Sequence, residues 1–489
     1  MRVPKQLAVL LLTMVLLAAC GTRLPDRSFQ DASQPATPSA RRGSDGSLTA
    51  DDTTSTSTLY GDSGTGGGAG AAGGGPTQVA GKQQSASGPN IASDVGVTAT
   101  TITIGTIVAE NGALGDAFAP AVRGLRAWVA YVNAHGGVHG RQVILKSCDD
   151  REDRNRDLAC AQQLVENDKV FALVSTNSRA LGGSAEYLNS HGVTTIGFPI
   201  TNSFGRYPHF FSAYANGYPR DGQHAGYMGQ LALTTGPYRW FRQTLGVTEA
   251  AVFMYDIDES KQAGQQFQKA LELEGFHVTP YVVSFAAPSF DQPVADMQQK
   301  GAQLIVDAMD DGANRKLCDA MARRNFKVKA KVSTPVVEGA SVGTDYNDTC
   351  RNSVYVINSS RPYTSNVPAI NTFRDAYARY QPGLPLHQWA MESWGMATMF
   401  ADGVNSLRGS PTRAGLEKWL NALVQYKADG MFVGLDWGKT DPTAKSLQDC
   451  FVITRWLDSA GGWTEASNRF PFCYPDAHQF LSPALEQGN

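Results

Sequence analysis

The stretch TITIGTIVAENGALGDAFAPAVRGLRAWVAYVNAHGGVHGRQVILKSCDD, residues 101–150, decides the fold of this chain. Its first eight residues are mostly β-branched or apolar, which favours a buried strand. Residues 117–137 then carry apolar side chains at helical spacing, namely Phe118, Ala121, Val122, Leu125, Val129 and Val132. The glycine pair at 136–137 ends this amphipathic helix, and RQVILKS at 141–147 predicts a second strand. A strand–helix–strand unit with parallel strands is therefore expected.

The alternation of strand and helix patterns continues along the chain to residue 199, and it begins again at residue 250. Helical patterns at 156–168 and 182–192 alternate with strand patterns at 170–176 and 193–199. A second series of strands and helices runs from AAVFMYD (250–256) to KVSTPVV (331–337). After SVYVINS (353–359) come three helical stretches and a closing hairpin at 450–466. This order predicts an α/β protein with two Rossmann-like, doubly wound lobes.

The residues before the folded part predict export and anchoring. Residues 1–19 combine Arg2 and Lys5 with a short apolar run, as a signal peptide does, and the run is too short to remain as a membrane span. LAACG at 17–21 resembles the bacterial lipobox, in which Cys20 becomes a lipid-modified, palmitate-bearing N-terminus; the alternative is a plain secretory signal with a chance cysteine. Residues 20–93 lack apolar periodicity, which predicts a disordered linker rich in Gly, Ser, Thr and Ala.

Composition and motifs narrow the function classes. The 489 residues carry a net charge of −3, which gives no electrostatic argument for nucleic acid. The folded part contains no GxSxG, HExxH or Walker A motif, so neither an enzyme nor a cofactor is expected. His135 and His139 are four residues apart, but the glycines beside them favour a turn over a metal site. DDREDRNRD (149–157) lacks the glycine turn of a calcium loop, and a solvated strand-to-helix connection is the preferred interpretation.

Six cysteines remain after Cys20, in three close pairs: Cys148 and Cys160, Cys318 and Cys350, and Cys450 and Cys473. An even number in an exported chain indicates disulfides, and nearest-neighbour pairing is the simplest of the fifteen connectivities. Zinc is the alternative, but no pair has CxxC spacing. We therefore expect no metal and three disulfides.

Parallel strands of one sheet end at the same edge, and ligands of doubly wound folds bind beyond those ends. A cleft between two lobes is therefore expected to be lined by the residues that follow each strand. In the first lobe these are residues 110–114, 176–180 and 199–202, which include Thr201. In the second lobe they are residues 256–260, 309–311 and 338–341, which include Asp310.

The quoted stretch, followed by QLVENDKVFALVS, GVTTIGFPIT, AAVFMYD and VVEGAS, resembles type I periplasmic binding proteins of the leucine/isoleucine/valine-binding family. The order and spacing of these segments carry the resemblance, which covers residues 97 to about 440. It implies two lobes joined by three crossover strands near 212–215, 354–358 and 431–434. The implied division is 94–213 plus 357–431 for lobe I and 214–356 plus 432–489 for lobe II. Nearest-neighbour cysteine pairing leaves no bridge across these lobes, so it allows hinge motion.

The resemblance also implies a set of ligand-binding residues. Main-chain and hydroxyl groups near Arg179, Ala180, Ile200 and Asn202 would hold a solute carboxylate, Glu338 would pair with its ammonium, and Trp394 would close over it. Ser260 stands where the family has a tyrosine, and Arg179-Ala180 where it commonly has two serines. Arg179 would bind a carboxylate bidentately, fill the cleft, or point to solvent. The alternative for Glu338 is an exposed loop residue without a ligand role. The alternative for Trp394 is a residue of the hydrophobic core.

By resemblance, the chain is expected to be a monomeric, extracytoplasmic, lipid-anchored receptor of an ABC importer. It would close around an amino acid or related small polar solute and deliver it to the permease subunits. The alternative is a sensory or regulatory ectodomain that binds a solute without transport. An anchored hydrolase is a third class, for which the sequence shows no catalytic signature.

Overall fold

The quoted stretch folds as a strand–helix–strand unit at the centre of the first lobe. The computed structural model describes residues 90–112, 115–212, 214, 220–434, 450–467, 469–474 and 476–484. Residues 1–19, Cys20 and the linker as far as residue 89 lie outside the described residues. Among the helices that are described, none is long and apolar enough to cross a membrane.

The first lobe is built on one parallel sheet. Its strands are β1 (Thr101–Ile107), β2 (Gln142–Cys148), β3 (Ala172–Thr176), β4 (Thr195–Gly197) and β5 (Phe210–Ser212). The helices between them are α1 (Gly115–Ala134), α2 (Arg154–Gln162), α3 (Ala185–Ser190) and α4 (Ser203–Arg206). The strand order is β2-β1-β3-β4-β5, with every pair parallel, so β1 is interior and its apolar residues are buried on both faces.

The second lobe contains the larger sheet. The strands from residue 230 onward are β6 (Gln230–Thr234), β7 (Glu249–Tyr255), β8 (His277–Val283), β9 (Leu304–Ala308), β10 (Ala330–Ser333), β11 (Val354–Asn358), β12 (Cys450–Leu457), β13 (Gly462–Glu465), β14 (Phe472–Cys473) and β15 (Gln479–Pro483). The helices are α5 (Gly236–Leu245), α6 (Asp258–Leu273), α7 (Asp291–Gln299), α8 (Asp311–Arg323) and α9 (Val342–Asp345). The order is β13-β12-β11-β10-β9-β7-β8, parallel from β8 to β11 and antiparallel at β12 and β13. The predicted two-lobed α/β fold is confirmed.

The remaining helices return to the first lobe. They are α10 (Pro368–Tyr380), α11 (Gln388–Asn405) and α12 (Arg413–Asn421), and both α10 and α11 pack on α1. The predicted apolar face of α1 explains the contact, because Phe118, Val122 and Leu125 are buried there. The backbones of α1 and α11 approach so closely at Gly124 that a Cβ would overlap the carbonyl group of Ala390.

Two of the crossings between the lobes are hydrogen-bonded to each other. The Arg361 amide donates to the Met431 carbonyl at 2.8 Å, and the Val433 amide donates to the Ser359 carbonyl at 2.9 Å. The second crossing therefore lies at 359–361, just after the expected segment 354–358, which is strand β11 itself. The first expected crossing, 212–215, is described only at Ser212 and Tyr214.

The cysteines pair as nearest neighbours. The structure contains the bonds Cys148–Cys160, Cys318–Cys350 and Cys450–Cys473. The first joins the end of β2 to α2, the second joins α8 to the segment before β11, and the third joins β12 to β14. Each bridge stays within the elements of one sheet and its covering helices, so none ties the two sheets together.

One feature of the second lobe has no counterpart in the sequence prediction. Strands β6 and β15 form a separate antiparallel ribbon in which Leu233 is opposite Phe480, and α5 follows β6 directly. The start of α5 does carry a local signal, since Thr235 precedes it and Pro237 lies in its first turn. The pairing of the ribbon joins residues far apart in the chain, and no local pattern reports it.

Candidate functional site

A cavity of about 580 Å³ lies beyond the carboxyl ends of the strands of both sheets. We call it the cleft cavity. From the first lobe it is lined by Ala117, Phe118, Arg179, Phe198, Pro199, Ile200 and Trp389, with Tyr214 after β5. From the second it is lined by Thr234, Pro237, Tyr255, Ile257, Glu259, Ser260, Ala263, Phe285, Ala308, Met309, Asp310, Thr334, Pro335, Val336, Ile357, Asn358, Ser359, Cys450 and Phe451. Its volume is that of a small-molecule site, and its position is where doubly wound folds bind ligands.

Aromatic rings form much of the wall. Phe118 on α1 stacks on Trp389 in the first turn of α11, with ring centroids 5.5 Å apart and planes 16° apart. Phe198, which follows β4, lies 5.5 Å from the same indole. Across the cavity, Tyr255 and Phe285 make an edge-on contact at 5.1 Å. Both lobes therefore contribute aromatic side chains to the lining of the cleft cavity.

Arg179 is the cationic residue of the described lining. Its Nε donates to Glu152 Oε2 at 3.0 Å, and its guanidinium carbon lies 5.3 Å from the ring centroid of Phe285. The Arg179 side chain is 31% exposed, whereas that of Glu152 is 5% exposed. Within the described residues, no hydrogen bond engages the two terminal nitrogens of Arg179, so both remain free to form a fork on a carboxylate.

Asp310 is held in place at the opposite wall. Its Oδ1 accepts from the Ala313 amide at 3.1 Å, which makes Asp310 the N-cap of α8, and its Oδ2 accepts from the Tyr255 hydroxyl. Burial, and then the hydrogen bond to Asp310, raise the pKa of Tyr255, so this phenol stays a donor. The cleft cavity thus presents a cation, Arg179, on one lobe and two carboxylates, Asp310 and Glu259, on the other.

The structure separates the predicted site residues into two groups. Arg179, Ile200, Ser260 and Asp310 line the cleft cavity, whereas Ala180, Thr201, Asn202, Glu338 and Trp394 do not. Ser260 is already engaged, because its hydroxyl accepts from the Tyr255 amide at 2.8 Å and donates to the Ala308 carbonyl at 2.7 Å. It therefore fixes the end of β7 and does not present a free hydroxyl.

Three of the predicted first-lobe residues lie behind the wall. The Ala180 side chain is buried, and its amide bonds the Ser178 hydroxyl at 2.9 Å. Thr201 donates to the Ser203 hydroxyl at 3.0 Å, at the start of α4. Asn202 precedes the same helix. Ala180 therefore belongs to the turn after β3, and Thr201 and Asn202 belong to the segment between β4 and α4.

Glu338 is fully buried one layer behind the cleft cavity. Its Oε2 accepts a hydrogen bond from Asn358, which does line the cavity, while its Oε1 has no partner among the described residues. Burial raises the pKa of Glu338 to about 8, and the hydrogen bond from Asn358 opposes that rise. The alternative of an exposed loop residue is wrong.

Glu392 is a second buried carboxyl, and sequence reasoning missed it. It accepts from the Tyr214 hydroxyl at 2.5 Å and from the Ser360 hydroxyl at 2.5 Å, so it joins α11 to two crossing segments. Burial raises the pKa of Glu392 to about 7, against hydrogen bonds that lower it. Tyr214, at the first expected crossing, also lines the cleft cavity. A glutamate within the apolar pattern of α11 was the available signal.

Trp394 does not line the cleft cavity. Its ring packs against Tyr131 at 5.2 Å and Phe373 at 5.8 Å in the core between α1, α10 and α11. Five residues turn a helix by about 140° beyond one full turn, so Trp389 and Trp394 face different sides of α11. Trp389 is the tryptophan that lines the cleft cavity.

The histidines and acidic residues considered for metals have other partners. His135 Nδ1 lies 2.7 Å from the Tyr131 carbonyl, and His139 Nε2 lies 3.2 Å from the Leu407 carbonyl. Asp153 caps α2 by accepting from the Arg156 amide. In the part of the chain that the structure describes, no three His, Cys, Asp or Glu side chains form a group able to hold a metal.

Two lobes with parallel sheets, crossing segments between them and a cavity at the facing strand ends define a two-lobed ligand-binding protein. A family model described as "Periplasmic binding protein" matches residues 101–462, and the chain belongs to this family. Its members bind small solutes and work with ABC permeases.

Solved structures agree on the fold. A fatty acid ABC transporter substrate-binding protein from Thermomonospora curvata matches with a TM-score of 0.62 at 14% identity, covering 78% of this chain and 94% of that one. An R. palustris solute-binding protein in complex with benzoate matches with 0.59 at 13% identity, covering 75% and 95%. A leucine-binding protein from Thermotoga maritima matches with 0.59 at 12% identity, covering 75% and 98%. A search of curated proteins finds no match.

Proposed function

We propose that this protein is the extracytoplasmic solute receptor of an ABC importer and that its solute carries a carboxylate on a large apolar body. The observation that carries the proposal is the cleft cavity, an aromatic and aliphatic chamber with Arg179 in its lining. A buried carboxylate needs a charged partner, and a fork of two guanidinium nitrogens supplies it. The three similar structures are named for fatty acids, benzoate and leucine. All of these compounds carry a carboxylate.

The original expectation of an amino acid remains one form of this proposal. An amino acid adds an ammonium group, which needs an anionic partner in the same cavity. Asp310 lines the wall opposite Arg179 and supplies that partner. Glu338, which the family resemblance implies for this role, lies behind Asn358, so we assign the ammonium to Asp310.

The closed state is expected to form when a solute bridges the lobes, because Arg179 belongs to one and Asp310 to the other.

The Cys20 lipid anchor, the monomeric state and delivery to permease subunits belong to the same proposal. The linker 20–93 would hold the receptor clear of the membrane while the anchor keeps it near the permease.

Thermal unfolding and calorimetry with leucine, phenylalanine, benzoate and octanoate test the proposal. A solute at a hundred times its Kd raises the free energy of unfolding by about 2.7 kcal/mol, which shifts the midpoint by a few degrees. Arg179→Gln should weaken every binding solute by about ten- to a hundredfold, because a hydrogen bond to a charged group contributes about 1.5–3 kcal/mol. Asp310→Asn should weaken the binding of leucine and phenylalanine and leave the binding of benzoate and octanoate unchanged.

Arg126→Gln is the matched control, since Arg126 pairs with Glu110 and does not line the cavity. It should leave every Kd unchanged. Binding that survives Arg179→Gln undiminished, or a complete lack of binding by carboxylates, would contradict the proposal.

A further inference from the structure

A second cavity, of about 290 Å³, lies inside the second lobe. We call it the inner cavity. Ribbon β6–β15 contributes Leu233 and Phe480, helices α5 and α6 contribute Tyr238 and Phe267, and the sheet contributes Val306 and Val332. Leu233 and Phe480 are direct cross-strand partners, so the ribbon covers this cavity with one apolar pair. An apolar cavity of about 150 Å³ suffices for a benzene molecule, and this one is about twice that size.

The inner cavity shares a wall with the cleft cavity. Five residues line both: Thr234, Pro237, Thr334, Pro335 and Ile357. Ile357 lies on β11, between β10 and β12, yet its side chain is only partly buried. The side chain of an isoleucine on an interior strand is normally packed against other side chains. The Ile357 side chain instead borders the two cavities.

Charged groups beside the inner cavity are already neutralised within the protein. Asp307 lines it, but Asp307 Oδ2 bonds the Lys331 ammonium at 2.8 Å and its Oδ1 accepts from the Ser333 hydroxyl at 2.9 Å. Asp307 and Lys331 are both fully buried. The pair offers no free charge to a ligand, so a polar head placed here would lose its hydration without a partner.

We propose that the inner cavity receives the hydrocarbon tail of the solute, whose carboxylate lies at Arg179 in the cleft cavity. The solute class is an elongated, amphipathic carboxylic acid with an unbranched chain, longer than the cleft cavity alone accommodates. This inference rests on the proposed function, since it uses Arg179 as the anchor of the head group. The ribbon β6–β15 is then the element that sets the chain length of the solute.

Calorimetry with hexanoate, decanoate and tetradecanoate on the full chain tests this assignment. Each methylene that enters an apolar site contributes about 0.8 kcal/mol, which is about a fourfold decrease in Kd. In the unmodified protein the Kd should keep falling from hexanoate to tetradecanoate. Leu233→Trp, which fills the inner cavity from the ribbon, should raise the Kd of tetradecanoate at least tenfold and leave that of hexanoate within twofold.

Leu481→Trp is the matched control, because Leu481 lies on the same ribbon, is 53% exposed and lines neither cavity. It should leave the whole series unchanged. Ala270→Leu fills the inner cavity from α6 and should repeat the effect of Leu233→Trp if that variant does not fold.

Four outcomes would overturn the inference. One is a Kd that stops falling at hexanoate, and another is a Leu233→Trp or Ala270→Leu variant that weakens the binding of short and long acids equally. Either result would show that the inner cavity does not bind the tail, while the carboxylate proposal would stand. If amino acids bind and no straight-chain acid binds, the role of the inner cavity is likewise excluded. Failure of every carboxylate to bind would remove the proposed function as well.

Discussion

The guanidinium of Arg179 lies over the ring of Phe285, with its carbon 5.3 Å from the ring centroid. Arg179 follows β3 of the first sheet and Phe285 follows β8 of the second, so this cation–π contact spans the cleft. The contact requires the two lobes to be close together. It therefore stabilises the present arrangement of the lobes, and within the described residues it leaves both terminal nitrogens of Arg179 without a hydrogen bond.

Phe285→Leu should weaken solute binding by about two- to fivefold, because it keeps an apolar side chain but removes a contact that contributes about 0.5–1 kcal/mol at a partly exposed site. Calorimetry with the strongest-binding solute of the panel measures the change. Phe326→Leu is the control, since Phe326 is partly buried in the same lobe and does not line the cleft cavity. An unchanged Kd for Phe285→Leu would show that the contact has no part in closure.

Trp389→Leu and Trp394→Leu should separate binding from stability. Trp389 lines the cleft cavity and stacks on Phe118, so its loss should weaken solute binding by more than tenfold. Trp394 packs in the core, so its loss should lower the unfolding midpoint while the Kd stays within twofold. Calorimetry and thermal unfolding on both variants measure the split. The reverse pattern would restore Trp394 as the ligand-facing ring.

The free energy of unfolding should fall as the pH rises from 5 to 8. Glu338 and Glu392 have pKa values of about 8 and about 7 in the folded protein, against an ordinary value of 4.5. The folded state therefore binds more protons than the unfolded state in this range, and its extra stability is lost as the pH rises through the folded pKa values. Each such group contributes a slope of at most about 1.4 kcal/mol per pH unit.

Glu392→Gln stays uncharged, so its free energy of unfolding should fall less steeply between pH 5 and 8, as measured by denaturant titration at several pH values. Asp157, whose pKa burial raises to about 8, adds a slope of the same sign in both proteins, so the difference between them is the diagnostic quantity. Glu272→Gln, at an exposed position, is the control. Equal slopes in Glu392→Gln and the unmodified chain would mean that Glu392 is ionised when folded.

Replacing Cys318 and Cys350 together by serine should lower the free energy of unfolding by about 3–4 kcal/mol. The bridge closes a loop with a sequence separation of 32, and the entropy of the unfolded chain rises when it is lost. Both cysteines are fully buried, so the new hydroxyls add a desolvation cost. Denaturant unfolding measures the loss. The double variant at Cys148 and Cys160, with a separation of 12, should lose less, about 3 kcal/mol.

The order of strands and helices could be predicted from sequence because each rests on a local period. The apolar face of α1 and the β-branched run of β1 appear in any short window, and the repeated alternation of such segments predicted the two lobes. The cysteine pairing was predicted separately, from the closeness of each pair in the sequence. The ribbon β6–β15 could not be predicted in this way, since its strands are short and joined by pairing between distant residues. The crossing at 359–361 differs from its expected place because β11 continues to Asn358 within the second sheet.

The sequence by itself determined the two-lobed fold, the facing strand ends and the presence of Arg179 and Asp310 at those ends. Only the tertiary structure decided which side chains meet. It turned Trp389 toward the cleft cavity and Trp394 into the core, placed Glu338 behind Asn358, and brought Glu392 against Tyr214 and Ser360. The physical reason is that backbone hydrogen bonding and apolar periodicity are local, whereas exposure, cavity shape and carboxyl desolvation depend on packing between elements distant in sequence.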